Sequence, residues 1–257
     1  MAWWSRKASH SAGDQAHLDA MGSLVASNTA AAARLRADCP DLAVSLLVET
    51  LAGCRERLGS VHPDTLTVAG NLGVALVQAG RWSEGIDILT GNHAARTDVF
   101  GADDPRTLTA GEALATAFRL AGRAEEAVDL ATAITAERRR TLGPEHLETL
   151  TSRMNLALAR AATGDVESAW TLLKAALHDA EHTLGGAHAH TIALRGALAA
   201  CLAHLGRPRE STEEFDRAVA DSTELLGADH PDTVALVEDL ENVHSPERFA
   251  LTSAIPA

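Results

Sequence analysis

From Pro63 onward the apolar residues fall at helical spacing. Leu66, Ala69, Leu72, Gly73 and Leu76 share one face, with polar positions between them. The pattern stops at Gly80-Arg81, and equivalent stops come at Gly122-Arg123, Gly164-Asp165 and Gly206-Arg207. Glycine suits such a stop because a helix end often needs one residue in the left-handed conformation. A second helical stretch follows each stop, as from Ala124 to Arg140, and closes on a Leu-Gly or Phe-Gly step. A short polar segment then restarts the cycle. His62-Pro63-Asp64-Thr65 shows its form: a proline for the first helical position and an acid beside the positive end of the helix dipole. The chain therefore predicts pairs of helices, A then B, each of about 16 residues and roughly 25 Å.

The restart segment recurs in register. It reads L-G-S-V-H-P-D-T-L at Leu58, F-G-A-D-D-P-R-T-L at Phe100 and L-G-P-E-H-L-E-T-L at Leu142. It returns as L-G-G-A-H-A-H-T-I at Leu184 and L-G-A-D-H-P-D-T-V at Leu226, so every step is 42 residues. A constant period in this range marks a stack of units that each touch only their neighbours. The expected division is a tail over 1–15, a degenerate helix pair over 16–57, an array over 58–245 and a tail over 246–257. The array has units starting at 58, 100, 142 and 184 and a capping helix from 226. In the degenerate pair, an Ala-rich helix runs from about Gln15 to Arg36. Asp38-Cys39-Pro40-Asp41 breaks it, and a second helix turns Leu42, Val44, Leu46, Leu47 and Leu51 toward the core. The last helix A runs from Pro231 to about His244, where Ser245-Pro246 ends it. Asp232, Glu238, Asp239 and Glu241 give it a solvated face suited to closing the stack.

One helix B departs from its siblings. Gly85 and Gly91 each cost about 1 kcal/mol relative to alanine inside a helix. Asn92 stands where the other units carry Ile134, Ala176 and Ala218. The segment is either a weak helix held by its neighbours or a kink.

The run Asn71–Glu84, of the form N-L-[GA]-x-A-L-x-x-x-G-R-W-x-E, resembles a tetratricopeptide repeat. The 42-residue period with its L-G-x-x-H-P-x-T-L linker resembles the kinesin-light-chain subtype, and T-S-R-M-N-L-A at Thr151–Ala157 is similar to bacterial members of that group. The resemblance covers residues 16–245. It implies an all-α fold, a right-handed superhelical array of antiparallel helix pairs whose A helices line a concave groove. The implied partner-binding residues follow the repeat: Gly70, Glu112 and Met154 in one row, Asn71 and Asn155 in a second, Val74, Thr116, Leu158 and Ala200 in a third, and Val77 and Arg119 near the helix ends. Chaperone-binding members of the family clamp a C-terminal carboxylate with Lys, Arg and Asn at the first and third of these rows. Here those places hold Val, Thr, Leu, Ala, Gly, Glu and Met, so the clamp is absent. The groove suits an apolar or amphipathic segment. Asn71 and Asn155 serve either an extended peptide backbone or contacts between helices.

Composition narrows the choice of partner. The formal net charge is −13, which argues against nucleic acid and anionic membrane, both of which need clustered cations. It favours partners with basic patches. Aromatics total 3%, with no Tyr, against a sandwich or barrel. Cys39, Cys54 and Cys201 are too few and too scattered for a disulfide framework, which suggests a reducing cytoplasm. No run has the apolar length of a membrane span, and M-A-W-W-S-R-K has no apolar stretch behind it, unlike a secretory signal. Trp3 and Trp4 read either as a tail folded onto the first helices or as an aromatic-basic anchor.

Candidate chemistry is sparse. His178 and His182 are four apart on one helix, with His188 and His190 in the next linker. They are surface histidines or a metal site, but His188 also copies the linker residues His62, His146 and His230, and no cysteine lies nearby. No G-x-S-x-G, phosphate-cradling glycine loop or H-E-x-x-H is present. The expectation is a non-catalytic protein- or peptide-binding scaffold with no cofactor and no metal, binding neither nucleic acid nor membrane. A ligand- or peptide-sensing regulator is the alternative, and an enzyme or an enzyme's accessory subunit ranks last.

Overall fold

The computed structural model describes residue 22, residues 26–31 and residues 39–243. The paired tryptophans, both tails and most of the first Ala-rich helix lie outside the described residues; residues 26–31 are helical. Ten further helices follow: α1 Pro40–Leu58, α2 Pro63–Gln78, α3 Trp82–Phe100, α4 Pro105–Leu120, α5 Ala124–Leu142, α6 Leu147–Ala162, α7 Val166–Thr183, α8 Ala189–His204, α9 Pro208–Leu226 and α10 Pro231–Glu241. No described residue is in a strand. The even-numbered helices are the A helices of the sequence pattern. The chain forms two compact units, one ending at Ala95 and one beginning at Arg96, so the division falls inside α3.

The linker residues account for the helix starts. His62, Asp104, His146, His188 and His230 each precede an A helix with extended backbone, and each side chain accepts a hydrogen bond from the backbone N–H two residues on. The four histidines do this through Nδ1 at 3.2 Å. Such a cap satisfies one of the N–H groups that a helix start leaves without an internal partner. The linker threonines Thr65, Thr107, Thr149, Thr191 and Thr233 are all buried. Thr233 bonds to the Ser222 hydroxyl at 2.8 Å, whereas the other four hydroxyls have no hydrogen-bond partner, so these side chains contribute by packing. At the A-to-B turns, Gly80 has φ +74° and the next N–H, of Arg81, reaches back to the Leu76 carbonyl. Arg81, Arg123 and Arg207 then each form a two-pronged bond with the glutamate three residues on, Glu84, Glu126 and Glu210. Asp165 replaces arginine in the remaining turn and caps α7 by accepting from the Ser168 N–H.

In the first unit, α1 and α2 pack through Ala43, Leu47, Leu51, Leu72, Ala75 and Leu76. Helix α3 is continuous through both glycines. A Cβ on Gly85 would lie 2.6 Å from the Val77 side chain and 2.9 Å from the Gly73 carbonyl, so these two helices meet almost backbone to backbone. Gly91 has nothing within 4 Å of such a Cβ. Asn92 is buried and donates to the Leu66 carbonyl at 2.6 Å.

In the second unit α6 and α8 each pack on the B helices before and after them, α4 packs on α5 and α10 on α9, and successive A helices also touch, α4 on α6 and α6 on α8. The largest core cluster joins Leu150 and Leu158 of α6, Leu173 of α7 and Leu194 of α8, each enclosed. Burial of such a side chain is worth about 2 kcal/mol. Helix α10 is shorter than the sequence pattern suggests, ending at Glu241 with Asn242 as its cap. Two repeat steps on, the core residues Leu150, Met154 and Ala157 become Val234, Glu238 and Glu241. The face that would receive another helix B is thus mostly acidic and exposed.

Candidate functional site

The sequence-derived groove residues divide between the two units. Gly70, Asn71, Val74 and Val77 belong to the first unit, and the rest to the second. Met154 and Leu158 are 3% and 1% exposed and sit inside the core between α6, α7 and α8, so they pack rather than reach a partner. Val77 and Ala200 are also buried, Val77 against Gly85 and Ala200 in a cluster with Phe215 and Val243. Arg119 is buried, and loss of water around its guanidinium pushes its pKa down. Asn71 donates to the Asn28 side chain at 2.9 Å, a bond between helical segments. Gly70, Val74, Thr116 and Asn155 remain half-buried on their helices.

Glu112 belongs to a buried polar network. Arg138 of α5 pairs with it at 2.9 Å and donates to the Glu148 carbonyl and the Ser152 hydroxyl of α6. Ser152 in turn donates to Glu112 at 2.5 Å. Burial pushes the Glu112 carboxyl up, with Arg138 pulling the other way. Arg195 of α8 is a second node, held by Asp221 and Glu214 of α9 and by Glu181 of α7. Arg153 pairs with Asp179 at 2.6 Å. The Arg153–Asp179 and Arg195–Asp221 pairs span 26 residues each and stand one repeat apart. That spacing was available in the sequence as a signal of an A-to-B ion pair.

The histidines form two pairs. His178 and His182 have ring centroids 5.4 Å apart, and His188 and His190 5.5 Å. Nδ1 of His188 is taken up by its cap. Among the described residues, no group of three or more His, Cys, Asp or Glu is placed to hold a metal ion. Burial raises both Cys54 and Cys201, the latter to about 12, so neither is an activated thiolate.

A pocket of about 90 Å³ opens between α8 and α10. Its walls are small and aliphatic: Ile192, Ala193 and Gly196 of α8 face Ala235 and Leu236 of α10. Gly196 occupies the same repeat position as Gly70, Glu112 and Met154. A Cβ there would lie 2.9 Å from Leu236, so the glycine admits that side chain.

Two stretches, 71–136 and 191–232, match tetratricopeptide-repeat family models. Over those stretches the chain carries tetratricopeptide repeats. Its repeats are of the kinesin-light-chain-like kind. A solved putative kinesin light chain from Podospora anserina, with nearly identical TPR-like repeats, is similar over 79% of this chain and 95% of its own length, at 27% identity and a TM-score of 0.67. BtubC from P. vanneervenii shares the fold at 15% identity and a TM-score of 0.64, over 82% of this chain and 85% of that one. Aspartyl phosphate phosphatase F of Bacillus subtilis shares it at 13% identity and a TM-score of 0.69, over 91% of this chain and 58% of that one. No curated protein matches this tetratricopeptide-repeat sequence. Among its described residues, no helix is long and apolar enough to cross a membrane.

Proposed function

We propose that this tetratricopeptide-repeat chain is a non-catalytic scaffold whose A-helix face holds an apolar or amphipathic segment of a partner protein in the cytoplasm. The repeat family supports protein binding in general terms. The observation that carries the finer reading is the pocket between α8 and α10, apolar and walled by small side chains at repeat positions of the A helices. Such a surface takes up an apolar side chain while neighbouring backbone and polar groups fix its direction. The buried arginines Arg138 and Arg195 are committed to ion pairs, with Glu112 and with Asp221, and so hold helices together.

A photoreactive residue tests this. Placed at Thr116 or Asn155, both half-buried on A helices, it should cross-link a bound segment. Placed at Glu125 or Glu167, exposed on B helices, it should not. Cross-linking through the B-helix positions alone would end the reading.

A further inference from the structure

We infer that the segment held between α8 and α10 carries an aliphatic side chain flanked by Lys or Arg. This rests on the scaffold reading above and adds the chemistry of the partner. The pocket, at about 90 Å³, is smaller than the ~150 Å³ apolar cavity that accepts a benzene-sized ring. Its scale and its walls of Ile192, Ala193, Ala235 and Leu236 fit a branched aliphatic group better than an aromatic one.

The polar lining is one-sided. Asp232 and Asp239, two turns apart on α10, are its charged residues among those described, and no described cation lines it. The Asp232 side chain is 51% exposed. His230 Nδ1 lies 3.7 Å from that carboxylate but accepts from the Asp232 backbone N–H, so this nitrogen offers it no proton. The third polar lining group, the Ser222 hydroxyl, is bonded to Thr233. A cationic residue beside the aliphatic anchor would meet the exposed Asp232 carboxylate at the pocket wall, whereas an acidic one would meet like charge. The net charge of −13 favours approach by the same sign of partner.

The test selects binders from a displayed library of random peptide segments on the full chain, then measures the affinities of the enriched segments. Enriched segments should carry Leu, Ile or Val next to Lys or Arg. Ala189→Phe, at an exposed position on the pocket wall, and Ala235→Phe should each weaken them by about tenfold or more, with helicity unchanged by circular dichroism. Asp232→Asn should weaken them about threefold at low salt and less at high salt. Enrichment of acidic segments, or of segments without an aliphatic residue, overturns the inference. Loss of binding with Asn155→Arg but with neither phenylalanine variant overturns the pocket while leaving the scaffold reading intact. Indifference to all three, or no enrichment at all, overturns both. Self-association abolished by Ala189→Phe in sedimentation would assign the pocket to a second copy of the chain and overturn the peptide inference.

Discussion

Arg138 on α5 holds Glu112 on α4 at 2.9 Å, with the two side chains only 3% and 14% exposed. The pair joins the first two whole helices of the second unit, and α6 supplies Ser152 and Glu148 as further acceptors. Removing one partner from a buried pair leaves the other charge without compensation. Glu112→Ala should therefore cost about 3 kcal/mol in denaturant unfolding. The double replacement Glu112→Leu with Arg138→Met should cost far less, since a buried ion pair is often no more stabilising than well-packed apolar groups. Equal losses in the two variants would show that packing, not charge, dominates the site.

The two glycines of α3 should respond in opposite directions. Gly91→Ala meets open space and should stabilise the helix by about 1 kcal/mol. Gly85→Ala puts a Cβ against Val77 and the Gly73 carbonyl and should destabilise by about 1–3 kcal/mol, since that neighbour includes backbone. Thermal unfolding of the two variants separates a close crossing of α2 and α3 from a generally weak helix.

The histidine caps predict a specific tolerance. His146→Ala should cost about 1 kcal/mol, the typical value of an N-cap side chain. His146→Asp should restore it, because Asp104 already fills the same repeat position and accepts from Arg106 N–H at 2.9 Å. Failure of aspartate to rescue, by denaturant midpoint, would remove the cap as the reason for the linker histidine.

His190 sets a pH dependence. Burial, and secondarily His188, hold its pKa below the ordinary 6.5. A histidine depressed in the folded state binds its proton more readily when unfolded, so its contribution is present above pH 6.5 and is lost as pH falls through its lower folded value. His190→Gln should therefore flatten the decline in stability between pH 7 and 5 relative to the parent chain (about those limits, from the ordinary histidine range). A parallel decline in both proteins would exclude His190 as a source.

The repeat made the helix pairs legible before any coordinates. Proline and histidine of the linker mark the A-helix starts, and Gly80 and its equivalents mark their ends, because caps and stops are local chemistry. The groove was less legible. A step of 42 residues says which positions are equivalent, but α6 and α8 each pack against two B helices and another A helix, so most of their circumference is enclosed. Met154 and Leu158, from two different rows, both face inward to the core. Asn71 and Glu112 proved to be engaged with Asn28 and Arg138, partners that lie 43 and 26 residues away and so outside any local window. The pocket at α8 and α10 was hidden because it depends on Gly196 admitting Leu236.

Arg153 with Asp179, and Arg195 with Asp221, each draw both members from a single copy of the 42-residue unit. A unit of this kind brings its own fastening when the gene segment encoding it is duplicated. Arg138 likewise has Glu112 in its own copy, and bonds that cross between copies come in addition: Arg138 to Ser152 and Glu148 of the next, Arg195 to Glu181 of the one before. An insertion at a junction between copies should therefore leave each arginine its own carboxylate, Glu112, Asp179 or Asp221, and cost only the bonds that cross the splice.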